Sequence, residues 1–224
     1  MPQHPTPATA FFDVDETLVT QKTLFDFLRF HYEATGHPPT AYTRARAALT
    51  RMRDAGAPRE QANRAYYGLY AGASEEELAE QGQAWFQARL STGGFFHPPG
   101  VAALRGHQHA GHATVLVSGS FFPCLGPIAQ HLGADDVFGT SPLVMDGRLT
   151  GEVVRPMIGE AKADVALAWA AGHGVDPADC FAYGDHSSDL QLLRAVGHPV
   201  VVGDDPALRA HVTEAGGRTL PGVS

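Results

Sequence analysis

Residues 11–19 read Phe-Phe-Asp-Val-Asp-Glu-Thr-Leu-Val, and an apolar run that begins near Ala8 leads into them. Such a run reads as a short buried strand. It ends in two carboxylates two positions apart, Asp13 and Asp15. Open α/β sheets bind their ligands at the carboxyl ends of the strands, so this is where a carboxylate pair has chemistry to do. One member can attack as a nucleophile while the other moves a proton. An Asx turn at a strand end accounts for the pair without chemistry, but not for the pattern farther along the chain.

Three more apolar runs, at 113–118, 180–185 and 199–203, read as parallel strands. Helical patterns lie at 101–111, 160–171 and 189–196, with Gly172 and Gly174 predicted to stop the second and Gly197 to cap the third. Strand and helix in alternation predict an α/β fold with a doubly wound parallel sheet. Asp146-Gly147, flanked by Leu143-Val144-Met145 and Arg148-Leu149, predicts a small antiparallel ribbon added to that sheet. Residues 22–92 break the alternation. There Leu24, Phe27, Leu28 and Phe30, then Leu78, Trp85, Phe86 and Leu90, recur at helical spacing. Breaks fall at His37-Pro38-Pro39 and Gly56-Ala57-Pro58, and Ser74 is placed to cap a helix with Glu77 at its third position.

The Asp13–Leu18 stretch resembles the first signature, DxDxT[LV], of phosphatases of the haloacid dehalogenase (HAD) superfamily. The other signatures follow in the family order. Ser118 ends the second strand, Lys162 follows the hairpin, and Gly184-Asp185-His186-Ser187-Ser188-Asp189 resembles GDxxxD. The 22–92 insertion stands where the phosphoserine-phosphatase-like branch, subfamily IB, carries a small helical C1-type cap. The resemblance therefore implies a Rossmann-like core of residues 1–20 and 93–224 with a helical cap at 21–92. It implies Asp13 as nucleophile, Asp15 as proton donor, and Ser118, the Gly119 backbone and Lys162 as holders of the phosphoryl group. It implies Mg²⁺ held by Asp13, the Asp15 carbonyl and Asp185, with Asp189 in support. Lys162 is otherwise a solvated lysine in a first helical turn, a place where the macrodipole disfavours a cation and a phosphate partner would remove the conflict.

In that branch a Glu seven residues after the second Asp grips the phosphoserine amino group. Lys22 stands there in this chain, so the expected substrate is a small phosphomonoester other than phosphoserine, sugar-phosphate-like or a natural-product phosphate. Phosphoryl transfer to an acceptor alcohol, as in a phosphomutase, is the alternative. Glu16, Lys22, Arg44, Arg46, Arg64, Tyr66, Tyr67 and Tyr70 are candidates to face the leaving group, and Phe121 and Phe122 to line the pocket or fill the core.

Composition narrows the partners. With 24 acidic against 16 basic residues and a net charge of -8, no basic stripe for nucleic acid is expected. The two cysteines imply no disulfide framework. The first ten residues lack a signal-peptide core, and no apolar run is of membrane-spanning length. A soluble cytoplasmic protein, monomer or dimer, is the expectation. Of the 12 histidines, His107, His109 and His112 lack zinc-site spacing and read as a solvated cluster at a helix end, and His186 is placed near the metal site.

Overall fold

A computed structural model describes residues 8–223. The expectation of no leader at the N-terminus concerns residues that lie mostly outside that range. In chain order the elements are β1 (Thr9–Phe12), α1 (Thr23–Ala34), α2 (Pro39–Asp54), α3 (Arg59–Gly68), α4 (Glu75–Thr92), α5 (Pro98–His109), β2 (Ala113–Val117), α6 (Phe122–Leu132), β3 (Asp136–Phe138), β4 (Ser141–Met145), β5 (Arg148–Arg155), α7 (Glu160–His173), β6 (Phe181–Gly184), α8 (Leu190–Arg194), β7 (His198–Val202), α9 (Pro206–Glu214) and β8 (Arg218–Leu220).

Six of the strands form one sheet in the order β3-β2-β1-β6-β7-β8, and every pairing within it is parallel. All of β1 is buried, as a strand covered on both faces must be, which is why it reads as a continuous apolar run. Phe12 packs with Leu116, Val200 and the helical segment on one face. Phe11 packs with Val115, Ala182 and Val201 on the other. From β1 the chain builds outward to β2 and β3 on one side and returns to β6, β7 and β8 on the other. The carboxyl end of β1 is thus the switch point of the sheet.

The four strands expected from sequence are present. β3 and β8, three residues each, lie at the edges and are too short to leave a periodic signal. The hairpin forms with Asp146 and Gly147 both left-handed, at φ 50 and 71°, the backbone a two-residue primed turn requires. It does not join the main sheet but stands as a separate two-stranded ribbon. Its partners are in the α3–α4 connection: the Gly72 N–H donates to the Leu149 carbonyl at 2.7 Å and the Leu149 N–H to that of Ala73 at 2.9 Å. No local pattern in the hairpin encodes that docking.

Two helix ends also differ from expectation. α7 continues through Gly172 and stops at Gly174, whose φ of 68° is left-handed. The 189–196 segment opens as a 3-10 turn and ends at Ala195. Gly197 serves close packing instead, since a Cβ there would lie 1.9 Å from the Ala178 carbonyl oxygen.

Helices α1 to α4 fill the 23–92 segment, and the Ser74 hydroxyl accepts the Glu77 N–H as the sequence predicts. Aromatic side chains of this segment, Phe27, Tyr67, Tyr70 and Trp85, share one core with Phe121 and Leu125 of α6 and its approach. Phe121 therefore fills the core. α4 lies so close to α6 that a Cβ on Gly82 would fall 2.2 Å from the Pro123 carbonyl oxygen. His107 is buried, its ring between His112 and the Tyr183 hydroxyl, each at 2.9 Å, so only His109 of that trio is exposed. Burial, then His112 and Arg218, pushes the His107 imidazole down to about 4.

Two predictions follow from this packing. Gly82→Ala should lower stability by roughly 1–3 kcal/mol through overpacking, whereas Gly106→Ala, with open space around the site, should raise it by roughly 0.4–1 kcal/mol; urea denaturation of both variants checks the pair. Between about pH 4 and 6.5 the unfolded chain binds a proton at His107 that the folded chain does not. His107 should therefore contribute a loss of stability as pH drops through that window, read as the difference between the pH profiles of wild type and His107→Gln.

Candidate active site

The carboxyl ends of β1, β2 and β6 converge, and each delivers a site residue. The Asp13 N–H still donates to the Tyr183 carbonyl of β6 at 2.9 Å, and the Ser118 N–H to the Phe138 carbonyl of β3 at 2.9 Å, so both side chains leave from backbone that the sheet holds in place. Asp13, Ser118, Lys162 and Asp189 are buried and Asp185 is half-buried.

Lys162, in the first turn of α7, reaches Asp13 Oδ1 at 2.5 Å and Asp189 Oδ1 at 2.6 Å. Burial works against the ammonium charge, but the two carboxylates outweigh it and hold the group above its ordinary range. The other Asp189 oxygen accepts the His186 N–H at 3.2 Å, so Asp189 holds both the lysine and the loop. Gly184 belongs to the same arrangement, because a Cβ there would sit 2.5 Å from that of Asp189. Asp13 is raised by burial, which Lys162 opposes and the carboxylates of Asp189, Asp185 and Asp15 reinforce. Asp185 is raised to about 7 by burial and then by Asp189. The carboxylates of Asp13, Asp185 and Asp189 lie within 4.8 Å of one another. Lys162 alone leaves this cluster short of positive charge.

After Asp13 the chain makes a tight loop. The Val14 carbonyl accepts three successive N–H groups, from Thr17, Leu18 and Val19, and Glu16 takes φ 60°. The loop feeds α1, whose N-cap residue Lys22 has no acceptor to offer. Asp15 supplies it from across the turn: its Oδ1 accepts the Thr23 N–H at 3.1 Å and the Thr23 hydroxyl at 2.7 Å. Burial raises the Asp15 carboxyl, and these two hydrogen bonds oppose the shift.

The Gly119 carbonyl is held by the Tyr67 hydroxyl at 3.0 Å, the Thr140 hydroxyl at 2.9 Å and the Asn63 amide at 3.3 Å. Asn63 and Thr140, like Thr23, escape sequence reasoning because they come from elements distant in sequence, and Tyr67, a candidate to face the leaving group, serves as a support instead. A cavity of about 450 Å³ opens above the cluster. Asp13, Asp15, Ser118, Gly119, Lys162, Asp185, Asp189, Lys22 and His186 all line it. Glu16 does not; its carboxylate pairs with Lys22 Nζ at 2.5 Å. Of the other candidates to face the leaving group, Tyr66 reaches the cavity. Tyr67 and Tyr70 are in the core, and Arg64 donates to the Val153 carbonyl. The cavity arginines are Arg53 and Arg59 instead, which no residue pattern distinguished from their neighbours.

With this geometry in view, the comparisons place the chain. Residues 10–194 match the haloacid dehalogenase-like hydrolase family, and the chain belongs to that family. It is 31% identical over 218 residues to the "Inhibition of morphological differentiation protein" of Streptomyces azureus, covering 95% of this chain and 78% of the relative. It is 40% identical over 113 residues to "Probable phosphatase Rv3661" of Mycobacterium tuberculosis, a match that spans 50% of this chain and 39% of the relative's length. Among solved structures, substrate-bound phosphoserine phosphatase superposes with a TM-score of 0.69 at 20% identity, covering 97% of this chain and 94% of that one; the fold is phosphoserine-phosphatase-like. Among the described residues no helix is long and apolar enough to cross a membrane.

Lys162→Met should destabilise the metal-free protein by roughly 3–5 kcal/mol, because it leaves two carboxylates buried without their cation. The double variant with Asp13→Asn should recover part of that loss; a double-mutant cycle in urea measures it.

Proposed function

We propose that this protein is a Mg²⁺-dependent phosphatase that hydrolyses small phosphomonoesters through an aspartyl phosphate on Asp13. The observation that carries this reading is the Asp13–Lys162–Asp189 ion cluster with Asp185 beside it and Asp15 at the same cavity. Residues 1–20 and 93–224 would be the catalytic core and 21–92 the cap over the cavity, though residues 1–7 lie outside the described structure.

The donor set fits a hard divalent cation. Carboxylates whose protonation is favoured by burial and then by their mutual repulsion welcome a metal that takes oxygen ligands. Asp13, Asp185 and the Asp15 carbonyl would hold it, with Asp189 supporting through Lys162 and the loop. When bound, it supplies charge neutralisation at the cluster and at the phosphoryl oxygens.

Asp13 attacks phosphorus as the bond to the leaving oxygen breaks. Asp15, which burial biases toward the acid form, gives its proton to that oxygen, so no alkoxide has to leave. Ser118, the Gly119 backbone and Lys162 hold the phosphoryl oxygens. In the second step Asp15 takes a proton from water, which attacks phosphorus and frees Asp13 and inorganic phosphate. Phosphoserine is disfavoured as substrate because Lys22, paired with Glu16, stands where an ammonium group would need a carboxylate.

Phosphate release from a panel of phosphomonoesters tests the reading. It should require Mg²⁺, stop with EDTA, and fall by roughly 10⁴-fold or more in Asp13→Asn. Failure of every ester, or undiminished release by Asp13→Asn, would overturn it, and product analysis with an added alcohol separates hydrolysis from transfer. Asp185 adds a measurement independent of turnover. With a carboxyl at about 7 in the fold against an ordinary value of 3.8, the folded state binds more protons between those values. Asp185 should then contribute a loss of stability to the metal-free protein as pH rises from about 4 to 7, read as the difference between wild type and Asp185→Asn. Asp185→Asn should lessen that loss and abolish the rise in Tm that Mg²⁺ gives the wild type.

A further inference from the structure

The cap side of the cavity has a charge pattern of its own. Between residues 39 and 68 the chain carries six arginines against Asp54 and Glu60, within a protein of net charge -8. Two of the six, Arg53 and Arg59, line the cavity together with Lys22. The lining carboxylates are Asp13, Asp15, Asp185 and Asp189 alone, all belonging to the catalytic cluster, so nothing in the wall is left to receive an ammonium group.

The three cations are not equally available. Lys22 is paired with Glu16, and Arg53 with its neighbour Asp54 through two nitrogens. Arg59, at the start of α3, has no carboxylate partner among the described residues. Its Nη1 lies 3.0 and 3.1 Å from the two ring nitrogens of His186. His186 Nδ1 accepts the Ser188 N–H, so the neutral ring carries its proton on Nε2 and has no lone pair there for Arg59. Arg59 is thus held in the cavity wall through Nη1 alone, and its Nε and Nη2 have no partner among the described residues. Leu24, Phe25, Leu49 and Met157 give the same cavity an apolar lining.

Resting on the phosphatase reading, we propose that the leaving group is an apolar body with a second anionic group, a carboxylate, sulfate or phosphate, that seats on Arg59. A planar guanidinium offers two parallel N–H donors to such an oxyanion, and the surrounding arginines draw it in.

Matched esters test this: 4-carboxyphenyl phosphate and 4-carbamoylphenyl phosphate, alike in shape but differing in charge. In the wild type the carboxylate ester should show a KM lower by about tenfold or more, the scale of one charge-assisted contact. Arg59→Gln should erase that preference while turning over the carbamoyl ester within about twofold of wild type. Bisphosphate and sulfophenyl esters then distinguish the oxyanions. Equal KM values in the wild type, or a preference kept by Arg59→Gln, would overturn the inference and leave the phosphatase reading intact. So would an equal loss on both esters, which would place Arg59 on the transferring phosphoryl group. If neither ester is hydrolysed, the ester panel decides the phosphatase reading, and isothermal titration with 4-carboxyphenylphosphonate and 4-carbamoylphenylphosphonate decides the anion site. A tenfold difference lost in Arg59→Gln supports it, and equal affinities refute it.

Discussion

The ammonium of Lys162, buried between two carboxylates, is the interaction on which the rest of this site depends. It joins the end of β1 through Asp13, the loop after β6 through Asp189, and the first turn of α7. Each group alone would be costly to bury, and each is tolerated because the others are there. The geometry around them follows. Gly184 lacks a side chain because Asp189 occupies its space, and the 3-10 turn at Ser187–Asp189 forms because the Asp189 carboxylate caps the His186 N–H. A lysine set against the helix macrodipole, unfavourable in isolation, becomes the cation buried among these acids. The remaining negative charge is what a divalent ion and a phosphoryl group would then share.

What the sequence disclosed follows from how locally each feature is encoded. Strands β1, β2, β6 and β7 were readable because burial on both faces forces an unbroken apolar run. Edges β3 and β8 were not, since three-residue strands are fixed by their neighbours. Asp146-Gly147 announced the turn but not the docking of the ribbon on the α3–α4 connection, which depends on backbone groups of Gly72 and Ala73. The carboxylates, Ser118 and Lys162 stood out by type, order and spacing. Thr23, Asn63, Thr140 and Arg59 did not, because a threonine or arginine acquires such a role only when the fold brings a distant acceptor or cavity to it.

Thr23 shows how tightly the helical segment is joined to the chemistry. Its hydroxyl has one proton, which goes to Asp15, so the contact at 2.9 Å with Ser120 Oγ is donated by the serine. The chain of hydrogen bonds runs from Ser120, just after Ser118 and Gly119, through Thr23 at the start of α1, to the Asp15 carboxylate. Only Oδ1 of Asp15 is engaged, which leaves the second oxygen for a proton. The first turn of α1 therefore orients the Asp15 carboxyl, and displacing that turn would release it. Position 22 can change from acid to base without harming this arrangement because Lys22 contributes only backbone to the cap.

That freedom bears on specificity. Reversing the charge at position 22 does not by itself create an anion site, since Glu16, left-handed at φ 60°, turns its carboxylate onto Lys22 and largely cancels it. Such an exposed pair is weak, so it screens the lysine without locking the cavity mouth. Arg53 is screened in the same way by Asp54. The positive potential that survives at the wall is that of Arg59, whose contact is an imidazole ring with no charge to offer in its neutral form. On the proposed reading, selectivity for the leaving group would rest on Arg59, one turn along α3 from Asn63, which holds the Gly119 carbonyl. A leaving group seated on Arg59, as proposed, would therefore act on the same helix that helps hold the Gly119 loop in place.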